Sequence, residues 1–201
     1  MSINVCNNNS LSAITSIPDS ISGGALNLIS TQTASSSSTI SFTSGLDSTY
    51  KEYIFKFIDV HPSADQAQFS FNMSVDTGSN YNVSKTSTYF RGFHTEDDGT
   101  TSLAYQTGDD LTTGTGFQVL TGYLGNGNDE SCSGTLHLFN PSSTTFVKQF
   151  MARANEYIFN NSTRDSFVSG YGNTTSAVDA VQFKMSSGNI DSGTIKLYGV
   201  S

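Results

Sequence analysis

Phe69-Ser70-Phe71-Asn72-Met73-Ser74-Val75-Asp76 alternates a large apolar side chain with a polar one along its whole length. Successive side chains of an extended chain point to opposite faces, so this stretch reads as a strand with one apolar face and one polar face. A helix would scatter the same residues around its circumference. Asp76-Thr77-Gly78-Ser79-Asn80 follows at once as a turn.

The same period recurs on both sides. Leu26, Leu28 and Ser30 alternate with Asn27, Ile29 and Thr31, and after the Ser35-Ser36-Ser37-Ser38 turn Ile40 and Phe42 alternate with Thr39, Ser41 and Thr43. Tyr53-Ile54-Phe55-Lys56-Phe57-Ile58 is apolar on both faces, the pattern of a strand covered on two sides or crossing an oligomer contact. Further along, Leu136 and Leu138 alternate with His137 and Phe139 ahead of an Asn140-Pro141-Ser142-Ser143 turn. Thr145 to Tyr157 reads as strand in preference to a short helix around Met151 to Glu156. Val178, Ala180, Gln182 and Lys184 oppose Val181, Phe183 and Met185, and Gly193 to Val200 forms a last strand. Residues 94–131 are weakly periodic and read as long loops with one or two short strands, including Phe117 to Leu120. Gly125-Asn126-Gly127 and Gly170-Tyr171-Gly172 read as turns. Strands between turn signals, without an amphipathic helix, predict an all-β fold: an antiparallel, jelly-roll-like sandwich.

Residues 1–25 break the pattern. Leu11, Ile14, Ile17, Pro18 and Ile21 are apolar points in a polar stretch interrupted by Gly23-Gly24. They read as an extended arm that docks either on a neighbouring subunit or on its own domain, residues 26–201.

Composition narrows the function. The 201 residues include only 13% charged ones and carry a net charge of −8, which argues against a nucleic-acid partner and an anionic membrane because phosphate binding needs clustered Lys and Arg. No apolar run reaches the ~18 residues of a spanning helix, and Met1 to Val5 lack the basic and apolar regions of a signal peptide. Assembly in the cytoplasm is therefore expected, and sequons such as those at Asn72, Asn82 and Asn173 are accidents of composition. Cys6 and Cys132 show no metal or redox spacing and are read as inert thiols, with a disulfide as the lesser option.

Chemistry finds little support. His61, His94 and His137 are dispersed, serine is too common for any Ser/His/Asp combination to inform, and no nucleophile elbow, phosphate loop or zinc motif occurs. The paired carboxylates Asp97-Asp98, Asp109-Asp110 and Asp129-Glu130 are adjacent, so their side chains point apart and do not face across a cleft as glycosidase chemistry requires. The oxygen-rich Asn126-Gly127-Asn128-Asp129-Glu130 suits Ca²⁺ but equally a solvated turn. No catalytic residue, cofactor or metal is assigned. The aromatics Tyr89, Phe90, Phe93, Tyr105, Phe117 and Tyr123 gather in or near the loop-rich middle. Buried, they are core or subunit contact; exposed, they stack on sugars or pack against another protein.

Three stretches carry a family resemblance: "ISTQTASSSSTISFTSGLDSTYKEYIFKFIDVHP" from Ile29 to Pro62, "LHLFNPSSTTFVKQFMAR" from Leu136 to Arg153, and "GNTTSAVDAVQFKMSSGNIDSGTIKLYGV" from Gly172 to Val200. They resemble virion structural proteins of tailed bacteriophages of cyanobacteria and other aquatic bacteria. The resemblance implies a β-sandwich or jelly-roll module exposed on the particle. The chain lacks a fibre shaft or coiled coil, which places a capsid-surface decoration (cement) protein ahead of a small tail-fibre, tip or head-fibre module. The decoration reading expects a homo-oligomer, a trimer, contacting the major capsid protein or tail proteins through Leu11, Ile14, Ile17, Pro18 and Ile21. The fibre reading expects Tyr89, Phe93, Tyr105, Phe117 and Tyr123 to present a receptor loop to a host surface glycan.

Overall fold

The computed structural model describes residues 25–201. They form β1 (Leu26–Thr33), β2 (Ile40–Phe42), β3 (Glu52–Pro62), β4 (Phe69–Ser74), β5 (Lys85–Thr95), β6 (Thr101–Tyr105), β7 (Gln118–Val119), β8 (Cys132–Phe139), β9 (Lys148–Ile158), β10 (Ser162–Gly172), β11 (Ala180–Met185) and β12 (Ile190–Val200), with no helix among them. The strands pair antiparallel into an eight-stranded sheet, β1-β12-β3-β8-β9-β10-β5-β6, and a four-stranded sheet, β2-β11-β4-β7. This is the all-β sandwich that the alternation predicts. The arm residues Leu11, Ile14, Ile17, Pro18 and Ile21 lie outside the described residues.

Aromatic rings hold the sheets together. Phe183 of β11 stacks on Phe69 of β4 at 5.5 Å between ring centres and meets Phe42 and Phe55 edge-on. Phe57 meets Phe69, and Phe71 meets Phe150 of β9. These pairs tie the small sheet to β3 and β9, near the middle of the large one. All seven phenylalanines are buried, which makes this cluster the main apolar contribution to stability.

The apolar face of β4 lies as the sequence indicates, but its polar face is buried too. Asn72 donates to the carbonyls of Tyr81 and Thr115, and Ser70 donates to the carbonyl of Lys184. The segments around Tyr81 and Thr115 lie against the outside of the strand and Asn72 satisfies the carbonyls they bring with them, while Ser70 bonds within the sheet to β11.

The region 94–131 is more ordered than its weak periodicity suggests. β6 pairs with β5, and β7 pairs with β4. Between them the chain runs beside β5, where Ser87 N donates to Leu111 O and Lys85 N to Gly114 O, before crossing to the small sheet. Residues 106–117 thus close one side of the sandwich.

Two long strands, β5 and β10, are not evident from the sequence. Gly170-Tyr171-Gly172, read as a turn, ends β10 as extended chain. A Cβ on Gly170 would sit 2.8 Å from Ser87 Cα and 2.9 Å from Phe150 Cζ, so glycine is there for close approach and not for turning. Thr145 to Tyr157 contains a strand, β9, as favoured over the helix.

Candidate functional site

β9, β10 and β5 lie side by side, and each places a charged residue on the inner face of the large sheet. β9 carries Phe150, Ala152 and Ala154 inward and then Glu156; β10 carries Arg164 and Ser166; β5 carries Tyr89 and then Arg91. Glu156 and Arg164 are direct cross-strand partners. At this end the core changes from phenylalanine to a polar network.

The network is dense. Arg164 donates through Nη2 to the Tyr89 hydroxyl at 2.6 Å and through Nε to Ser166 Oγ at 3.2 Å. Ser166 donates to Glu156 Oε1, and the Gly122 amide donates to Glu156 Oε2. Asp109 reaches to 3.7 Å from Arg164 and accepts from Gln68 Nε2 at 2.9 Å. Burial raises the Glu156 carboxyl to about 7, with Arg164 as the main opposing influence. The Tyr89 hydroxyl is also pushed up, first by burial and then by the Glu156 charge. Gly122 is required here, because a Cβ would sit 2.8 Å from Arg164 Cζ.

An open cleft of about 530 Å³ lies over this network. Arg91, Arg164 and Asp109 line its polar side. Phe93, Tyr105, Tyr123 and Phe159 supply aromatic surface, and Gln106, Thr107 and Asn160 add hydrogen-bonding groups. Tyr105, Tyr123 and Phe159 are 49%, 48% and 41% exposed, so their rings face solvent. The Tyr105 hydroxyl donates to Asp110 at 2.7 Å, which fixes that ring.

The structure divides the receptor-loop residues. Phe93, Tyr105 and Tyr123 converge on the cleft. Tyr89 does not belong to an exposed loop: it is wholly buried on β5 and serves as a prop for Arg164. Phe117 lies apart, under the Lys184 ammonium at 4.3 Å. Phe90 points to the opposite face of the large sheet, where it stacks on Phe167 at 4.9 Å. Sequence reading missed Arg91, Glu156, Arg164 and Phe159. A signal existed: Glu156 continues the inward series Phe150, Ala152, Ala154, where a charge is out of place.

The other chemical candidates take up local work. His61 Nδ1 lies 2.5 Å from the Glu130 carbonyl oxygen, His94 Nε2 lies 3.0 Å from Asp98, and His137 Nδ1 lies 2.6 Å from Glu52. Each carboxylate pair splits. Asp97 accepts from the Gly99 amide while Asp98 meets His94, and Asp109 turns to Arg164 while Asp110 accepts from Tyr105. Glu130 folds back to accept from the Gly127 amide, which closes the oxygen-rich loop on itself. Among the described residues no group of three or more His, Cys, Asp or Glu is placed to hold a metal ion. Cys132 is buried, and burial holds its thiol well above the usual range.

No protein-family model, curated protein or solved structure matches the chain.

Proposed function

We propose that this chain is a bacteriophage virion protein that acts by binding, and that the cleft between β5, β10 and the 105–109 segment holds a glycan of the host surface. The convergence of Phe93, Tyr105 and Tyr123 carries this reading. Residues drawn from separate parts of the chain supply ring faces beside polar groups, the combination that orients a sugar. The rigid β5–β10 pair holds the floor, while loops supply the rim. Carboxylate chemistry is a poor fit to the same place, because Asp109 is engaged by Arg164 and Gln68 and Glu156 lies behind them.

Binding to fixed host cells or to an immobilised glycan panel tests the reading. The double variant Tyr105→Ala/Tyr123→Ala should lose binding while its thermal unfolding stays cooperative. Unchanged binding by that variant counts against the cleft.

The decoration reading has its own support. The outer face of the large sheet is open and carries Phe90, Phe167 and Met151 around a hollow of about 400 Å³. That face suits docking on another particle protein. Copy number in purified virions separates the two: hundreds indicate the shell, a few dozen or fewer the tail.

A further inference from the structure

We infer that the cleft takes an acidic sugar, with the sugar's carboxylate or sulfate held by Arg91. The inference rests on the glycan reading above and names the class of glycan.

Arg91 and Arg164 both line the cleft, yet they stand in different situations. Arg164 is engaged on two of its nitrogens and flanked by two carboxylates. Tyr89, Ser166, Asp109 and Glu156 surround its guanidinium, and the residue is only 3% exposed. Arg91 is the spare cation. Its Nε is buried without a hydrogen-bond partner, and no carboxylate among the described residues lies within ion-pair distance of it. Its guanidinium lies 5.3 Å from the centre of the Phe93 ring, which braces it against one wall.

A partly buried guanidinium with a missing partner is costly, and an anion restores the lost interactions. The surroundings agree: Asp109 and Glu156 turn to Arg164 and Asp110 is taken by the Tyr105 hydroxyl, so none of the three carboxylates is in ion-pair reach of Arg91. Arg91 is itself pulled down by burial and by the Arg164 charge beside it, so an incoming negative group relieves two repelling cations together. A planar carboxylate or a sulfate suits the fork of an arginine, and Tyr105, Tyr123 and Phe159 offer the attached ring a face to lie on. A bare inorganic anion would use only the arginine and leave the aromatic rim idle.

The test is a glycan panel carrying neutral, uronate-bearing, sialylated and sulfated oligosaccharides, probed with the full chain and two variants. The wild type should bind acidic members above neutral ones, and the carboxylated and sulfated arms identify which acid it takes. Arg91→Gln should weaken that binding by about tenfold or more, the loss of a charge-assisted contact. Arg153→Gln, on the opposite face beside Phe167, should leave it unchanged. Melting curves of both variants establish that they fold. Binding of neutral glycans alone, abolished by Tyr105→Ala/Tyr123→Ala, overturns the acidic assignment and leaves the glycan reading standing. Acidic binding retained by Arg91→Gln overturns the role of Arg91. Binding to no member of the panel overturns both.

Discussion

Arg164 and Glu156 face each other across β10 and β9 with Nε and Oε2 3.9 Å apart, and both are almost wholly buried. The pair lies where the phenylalanine core gives way to the cleft. Its energetics therefore govern how firmly the cleft floor is held.

Removing one partner should cost more than removing both. Arg164→Met leaves Glu156 buried beside a hydroxyl and an amide with no cation of comparable proximity, so it must protonate or stand as a buried charge, and the fold should lose up to roughly 3–5 kcal/mol, most of it at alkaline pH. The double variant Arg164→Met/Glu156→Leu should recover much of that loss. Urea unfolding of the two proteins checks the order; equal losses would show that the pair is not coupled.

Glu156 also imposes a pH dependence. Its folded-state value, about 7, lies above the unfolded value of 4.5, so the folded protein binds the proton more tightly. The resulting stability is full below pH 4.5 and is lost as pH rises toward 7, an amount of roughly 3 kcal/mol by linkage. Glu156→Gln should flatten this part of the profile, read as the urea midpoint between pH 4.5 and 8.

Lys85 acts in the opposite direction. It is buried with its ammonium donating to Asn72 and the Val83 carbonyl, and burial lowers it to about 7 from 10.5. A depressed lysine adds stability that is full above pH 10.5 and is lost as pH falls toward 7. Together the two groups place a minimum of stability near neutrality. Lys85→Met should remove the alkaline rise and leave the acidic side intact, again by urea midpoints across pH.

Phe183 touches Phe42, Phe55, Phe69 and Phe71, so it joins three strands of the small sheet to β3. Phe183→Ala should cost about 3–5 kcal/mol, measured by chemical denaturation. A cost near that of an ordinary surface change would mean that the sheets are held elsewhere.

How legible these features are in the sequence depends on whether a strand alternates. β4, β8 and β11 announce themselves because phenylalanine, leucine and methionine occupy one face and polar residues the other. β10 does not: Ser162, Arg164 and Ser166 point inward, and Thr163, Asp165 and Phe167 point outward. Its inner face is polar because it builds the network under the cleft, so the property that makes the strand useful also hides it. β5 fails for the same reason, with Lys85, Ser87 and Arg91 on the inner side. The aromatics of the cleft were visible as a group, but their convergence was not. Phe93 and Tyr105 come together through the β5–β6 pairing, but Tyr123 joins them only through the crossing of residues 106–117, and no local pattern reports a crossing. Tyr89 was misplaced because a buried tyrosine and an exposed one look alike until the partner of the hydroxyl is known.

The order of the large sheet sets a direction for the whole molecule. β1 and β12 form one margin, where the amide of Ser201 reaches the carbonyl of Ala25, so the two ends of the described residues are neighbours. The β5–β6 margin lies across seven inter-strand spacings, roughly 34 Å measured along the sheet. Whatever enters the arginine-floored hollow therefore meets the body toward the rim remote from Ala25 and Ser201.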